Sequence, residues 1–115
     1  MNTFELFCLV FYALDSAWDE SKNKELGDYL SSANPFLFKD IGSADPEIYE
    51  SFRMMVPAHI SLEKSYDLAT VYVHTLESTV ISRAFQSIGK SKWEECARAY
   101  LSSPHKGSSH NMDNV

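Results

Sequence analysis

Few residues of this chain could carry chemistry, and their spacing matches no common catalytic or metal-binding pattern. A metal site needs several histidine, cysteine or carboxylate ligands that converge on one point. Neither an H-x-x-x-H nor a C-x-x-C spacing occurs, and the four histidines are His59, His74, His105 and His110. We therefore expect no metal, no cofactor and no enzymatic activity.

The two cysteines, Cys8 and Cys96, lie far apart in the sequence. Cys8 falls in an apolar stretch predicted to be helical, where removal from water keeps a thiol neutral. Cys96 follows Glu94 and Glu95, whose negative charges oppose formation of a thiolate. We expect two free, structural thiols that are buried or half-buried, as is common in cytoplasmic proteins.

Two carboxylates, Asp15 and Asp19, lie four residues apart, so on a helix they share one face. Such a pair can bind a divalent ion or transfer a proton. No further ligand follows at a matching spacing. The pair is therefore interpreted as part of a solvated polar strip on the first helix.

The elements that position these residues are predicted to be helices, and the first runs from residue 3 to 19. Asn2 serves as its N-cap, and Glu5 completes a capping box. Apolar residues repeat along it at steps of three and four in two neighbouring stripes. A helix with so little polar surface is either the central helix of the domain or half of a dimer seam. Its polar strip is limited to Glu5, Cys8, Asp15, Ser16 and Asp19.

Capping residues and prolines define the next two helices. One covers about residues 22–32 and ends before Pro35, because proline disfavours helical geometry in the residue before it. The following helix begins after Asp45, with Pro46 at its first position, and ends near residue 55.

In the second half of the chain, the spacing of apolar residues predicts one or two helices between Ser61 and Gly89. Ser61 is suited to an N-cap, and Gly89 to a helix end. The last helix is predicted to open with a capping box formed by Ser91 and Glu94.

The whole sequence predicts an all-α fold, a compact single-domain bundle of five or six helices with a polar C-terminal tail. The 115 residues include only four glycines and four prolines, which is few for an all-β chain. Residues 1–102 form the predicted helical domain, and residues 103–115 are polar enough that we expect a mobile tail. The apolar N-terminal run lacks a basic start and is too short for a membrane span, so it is interpreted as a buried helix.

The charge distribution bears most directly on function. Residues 15–50, called here the acidic segment, contain nine acids and three lysines. Acids and bases balance in the remaining chain, so the whole formal net charge of −6 comes from this segment. Such a field repels nucleic acid and lipid headgroups and attracts a basic partner. Aromatic residues lie among the acids, and aromatic side chains are favoured at interface centres.

We therefore predict a non-catalytic protein-binding module that presents the acidic segment to a basic protein partner, without nucleic acid or membrane. An inhibitor or immunity-type protein that covers a nuclease-type toxin is one physical instance. One alternative is a solvated surface that only keeps the protein soluble. Another is a helical homodimer with a regulatory or scaffolding role, whose seam lies on helix 3–19. The predicted partner-binding residues are Asp15, Asp19, Glu20, Glu25, Asp28, Phe36, Phe38, Asp40, Glu47 and Glu50.

Overall fold

Six helices make up most of the computed structural model, which describes residues 1–37 and 40–107. Within those residues no strand forms, and the one extended pairing is an isolated bridge between Asn2 and His59. The predicted all-α bundle of five or six helices is therefore confirmed. The helices are α1 Thr3–Ser21, α2 Lys24–Ala33, α3 Pro46–Met55, α4 Leu62–Thr75, α5 Thr79–Gln86 and α6 Gly89–Leu101.

Three of the predicted helix starts are confirmed by hydrogen bonds at their caps. The Asn2 side chain accepts from the Glu5 N–H at 2.7 Å, and Glu5 Oε1 accepts from the Asn2 N–H at 2.8 Å. Asp45 caps α3, with Pro46 at its first position, and Ser61 caps α4. These caps satisfy backbone N–H groups that have no partner in the first turn of a helix.

The stretch between Ser61 and Gly89 is divided into two helices. The sequence alone had not decided between one helix and two. Glu77 adopts a left-handed backbone with φ of 53°, and Ser78 caps α5. The predicted capping box of Ser91 and Glu94 is wrong, because α6 already begins at Gly89 and has no side-chain cap. Gly89 has φ of 77°, which glycine adopts without steric cost, so the chain turns from α5 directly into α6.

α1 is the central helix and packs against each of the other five helices. Its residues 4–11 and Leu14 are buried. Glu5 and Cys8 are among them, so the prediction that these two lie on a polar strip was wrong, because neighbouring helices and the segment that follows α6 cover the first half of α1. Among the described residues, no helix is both long and apolar enough to cross a membrane.

The residues that follow α6 return across the start of α1. His105 pairs with Glu5 at 2.6 Å, and the side-chain amide of the α1 N-cap donates a hydrogen bond to the Gly107 carbonyl at 3.3 Å. The first part of the predicted polar tail, residues 103–107, therefore contacts the helical domain. Residues 108–115 of that tail lie outside the described residues.

Candidate functional site

The carboxylates of the acidic segment are exposed wherever the structure describes them. Phe36 is 42% exposed, and Phe38 lies outside the described residues. Exposed carboxylates are expected in a partner-binding surface and also in a surface that is only solvated. The positions of the acids relative to the aromatic rings therefore bear on the choice between these two hypotheses. The exposed acids are Asp15, Asp19, Glu20, Glu25, Asp28, Asp40, Asp45, Glu47 and Glu50.

A groove of about 180 Å³ between α1 and α2 places Asp15 beside apolar side chains. Phe11, Trp18 and Leu30 contribute to its walls. The helices approach closely at Gly27, where a Cβ atom would lie 2.8 Å from the Trp18 indole nitrogen. The absence of a side chain at this position therefore allows the indole to lie against α2.

Phe36 packs against Phe11, which lines this groove, and against the exposed Tyr12. Its ring centroid lies 5.8 Å from that of Phe11 and 5.4 Å from that of Tyr12, and these three rings are called here the aromatic patch. A turn after α2 positions Phe36, because the Asn34 side chain accepts a hydrogen bond from its N–H at 2.8 Å. Asp15 follows Phe11 and Tyr12 by one helical turn, so the patch and this carboxylate are adjacent.

Three of the exposed acids form ion pairs with basic residues one helical turn away. Each pair is exposed to solvent, so it contributes little to stability. The pairs nevertheless reduce the negative potential at the positions they occupy. They are Asp19 with Lys22 at 3.1 Å, Asp28 with Lys24 at 2.8 Å, and Glu50 with Arg53 at 2.7 Å.

Other acids of the segment lie away from the aromatic patch. Glu20 lines a second groove, formed with α5, and Glu25 accepts a hydrogen bond from Ser78 at the start of α5. Glu47 and Glu50 lie on α3. Acids of the segment therefore lie at three or more places on the surface, which include the α1–α2 groove, the side near α5, and α3.

Sequence reasoning missed a buried polar cluster beneath the start of α1. Glu5 and His105 are 100 residues apart, and no sequence signal links them. Their neighbours are Cys8 and Tyr100, and the Tyr100 hydroxyl is buried beside the Cys8 thiol. Burial raises the pKa of Cys8 to about 12 and raises the pKa of Tyr100. Both groups are therefore neutral near pH 7, and a neutral thiol is a poor nucleophile.

The two cysteines differ in their surroundings. Cys8 is buried, as expected, whereas Cys96 is exposed, so the expectation of a buried or half-buried Cys96 is wrong. Cys96 lies on α6, which packs mainly against α4 and α1. In residues 1–37 and 40–107, no three histidine, cysteine or carboxylate side chains converge closely enough to hold a metal ion.

Comparison with known proteins gives no significant match to a family model, to a curated protein or to a solved structure.

Proposed function

We propose that this protein is a non-catalytic protein-binding module whose acidic segment engages a basic protein partner. The observation that carries the proposal is the position of Phe36. Its ring is 42% exposed and packs against Tyr12 at 5.4 Å, one helical turn from Asp15. An exposed aromatic ring beside carboxylates combines an apolar anchor with a charged rim, an arrangement that protein interfaces favour.

The charge and the ring have separate roles in this proposal. A formal net charge of −6 that originates in one segment of 36 residues attracts a basic partner and accelerates encounter. The aromatic patch then supplies buried contact area in the complex, which slows dissociation. The exposed carboxylates of the acidic segment, Asp15 and Asp40 among them, therefore govern the association rate, and Phe36 governs the dissociation rate.

An inhibitor or immunity-type protein is one instance of this function. A nuclease-type toxin has a basic surface that binds nucleic acid, and an acidic protein of this size can cover it. The proposal includes a cytoplasmic location, as the two free cysteines suggest.

The alternative proposal is a homodimer with a regulatory or scaffolding role and a seam on helix 3–19. Within the described α1, Tyr12 is the one large hydrophobic side chain that is exposed, at 44%. A seam would therefore centre on Tyr12. Sedimentation equilibrium distinguishes the alternatives, because a dimer that Tyr12→Ala dissociates would favour the seam.

The binding proposal is tested by capturing proteins from the native host with three versions of the chain. The first is the wild type, and the second carries Asp15→Lys with Asp40→Lys. The control carries Glu63→Lys with Asp67→Lys, an equal change of charge at exposed positions on α4. We expect a basic protein that the wild type and the control retain and the second version loses.

Kinetics with the captured protein then separate charge from packing. Reversal of Asp15 and Asp40 should lower the association rate, and added salt should reduce this penalty, because exposed charges are screened beyond about 8–10 Å at physiological ionic strength. Phe36→Ala should raise the dissociation rate. Equal capture by all three versions would leave the acidic segment with only a solubilising role.

A further inference from the structure

A cavity of about 400 Å³ lies between α1 and α6. Its volume falls within the range of small-molecule sites, about 300–1,000 Å³. Leu9 and Ala13 of α1 and Trp93 and Tyr100 of α6 form much of its wall. The cavity lies on another side of α1 from the α1–α2 groove and shares only Tyr12 with the aromatic patch. A ligand here would leave the α1–α2 groove open and would contact the aromatic patch only at Tyr12.

The wall on the α6 side is held in place by contacts outside the cavity. The Trp93 side chain is 2% exposed, and its indole N–H donates a hydrogen bond to Ser65 Oγ at 2.9 Å. Its ring packs against Phe85 at 5.5 Å and against Tyr66 at 6.1 Å. A wall fixed in this way is formed before a ligand arrives, which reduces the entropic cost of binding.

One positive charge stands at the mouth of the cavity. Lys92 is the only charged residue among the described residues that line it. Its side chain is 63% exposed, and its ion pair with Glu95 is long, at 3.9 Å. The Ser16 hydroxyl lines the same cavity and can donate a hydrogen bond, whereas the Ser87 hydroxyl already donates to the Ala84 carbonyl at 2.7 Å. An apolar wall with one ammonium and one hydroxyl donor fits an amphiphile that has an anionic head.

We propose that the α1–α6 cavity binds a small amphipathic carboxylate of the medium-chain fatty acid type. The hydrocarbon chain lies along Tyr12, Ala13 and Ile88, the more accessible apolar residues of the lining, where its burial removes apolar surface from water. The carboxylate lies at Lys92, where it forms a charge-assisted hydrogen bond.

The chain offers two reporters for this site, each with its own internal control. Of the two tryptophans, Trp93 lines the cavity, so in Trp18→Phe all tryptophan fluorescence comes from the site. Of the two cysteines, Cys96 lines the cavity and is exposed, whereas Cys8 is buried. An alkylating reagent should therefore label the folded protein at Cys96 alone. Decanoate below its micellar concentration should change the Trp93 emission saturably and slow the labelling of Cys96.

Recognition of the carboxylate head of the ligand and recognition of its hydrocarbon chain are tested separately. Lys92→Met keeps the apolar stem and removes the charge, and it should weaken decanoate binding up to about fivefold, because an ion pair at an exposed lysine is weak. Lys90→Met, on the same helix but outside the cavity lining, should leave binding unchanged. Decanol should bind the wild type and Lys92→Met equally. Octanoate should bind about fifteenfold more weakly than decanoate, because each buried methylene contributes about fourfold.

Two filled-cavity variants locate the site. Ala13→Leu on α1 and Cys96→Leu on α6 should each abolish the decanoate response in the Trp93 fluorescence while the helical circular dichroism is retained. The proposal is overturned if decanoate neither changes Trp93 emission nor protects Cys96. It is overturned equally if binding survives both filled-cavity variants, if Lys92→Met binds decanoate as the wild type does, or if phosphatidylglycerol vesicles alone give the response.

Discussion

Glu5 Oε2 lies 2.6 Å from His105 Nε2, and the side chains of both residues are only 7% exposed. The other ring nitrogen, His105 Nδ1, lies 2.5 Å from the Ser103 carbonyl oxygen, which can only accept a hydrogen bond, so Nδ1 carries a proton. Glu5 Oε1 accepts from the backbone N–H of Asn2. The geometry therefore describes a buried hydrogen bond between the Glu5 carboxyl group and the His105 imidazole that joins the C-terminal segment to α1.

Removal of His105 should lower the stability of the fold. His105→Gln leaves the buried Glu5 side chain without its hydrogen-bond partner, and the loss of such a partner costs about 1–3 kcal/mol. The free energy of unfolding, measured by urea titration, gives the effect. His59→Gln is the matched control, because His59 is exposed. A loss no larger than that of the control would show that the pair does not form in solution.

Stability should fall in alkali, beginning near pH 9. Burial raises the pKa of Cys8 from 9.0 to about 12, so the unfolded chain releases the thiol proton at a lower pH than the folded chain does. The contribution of the neutral thiol is complete below pH 9 and is lost as the pH rises towards 12. Between pH 9 and 10 the wild type should lose about 1 kcal/mol more than Cys8→Ala does. If the stability of the two proteins falls in parallel as the pH rises, ionisation of Cys8 is not the cause of the alkaline loss.

Ionisation of Tyr49 should cause a further loss of stability above pH 10. Burial raises its pKa from 10.0 to about 12, and the sign of the effect is the same as for Cys8. Tyr49→Phe keeps the ring, which packs against Phe4 and Phe7 at 5.6 Å and 5.2 Å. The variant should therefore match the wild type at pH 8 and lose less stability between pH 10 and 11, as measured by urea titration at each pH.

Phe11 should contribute far more to stability than its neighbour Tyr12. Phe11 is 9% exposed and Tyr12 is 44% exposed. Truncation of a buried phenylalanine costs about 3–5 kcal/mol, so Phe11→Ala should lower the urea midpoint strongly. Tyr12→Ala should cost about 1 kcal/mol. A loss under about 1 kcal/mol for Phe11→Ala would place its ring outside the core in solution.

The two cysteines should react at different rates in the folded protein and at similar rates in denaturant. Cys96 is exposed and should be alkylated rapidly, whereas Cys8 is buried with a raised pKa. Mass measurement with and without urea counts the modified thiols. An unreduced protein lighter by two hydrogens that resists alkylation would mean that Cys8 and Cys96 are bridged, and the proposed cytoplasmic location would lose its basis.

The sequence alone determined the parts of the fold that depend on short-range hydrogen bonds. The caps at Asn2, Asp45 and Ser61 were predicted correctly, because a capping side chain and the N–H groups it satisfies lie within about three residues of each other. The same local reasoning failed at Ser91. There the turn between α5 and α6 depends on the positive φ of Gly89, and the packing of both helices sets its position.

Only the tertiary structure decided which polar residues are buried and which side chains meet. From its neighbours in sequence, Glu5 is predicted to be an exposed capping residue. In the structure it is buried against His105, which lies 100 residues away. The contact of Phe36 with Tyr12 and the cavity beside Trp93 likewise join distant segments. Such contacts follow from how several helices pack together, because each apolar stripe can be satisfied by more than one neighbour, and a periodic pattern in one helix does not specify which one covers it.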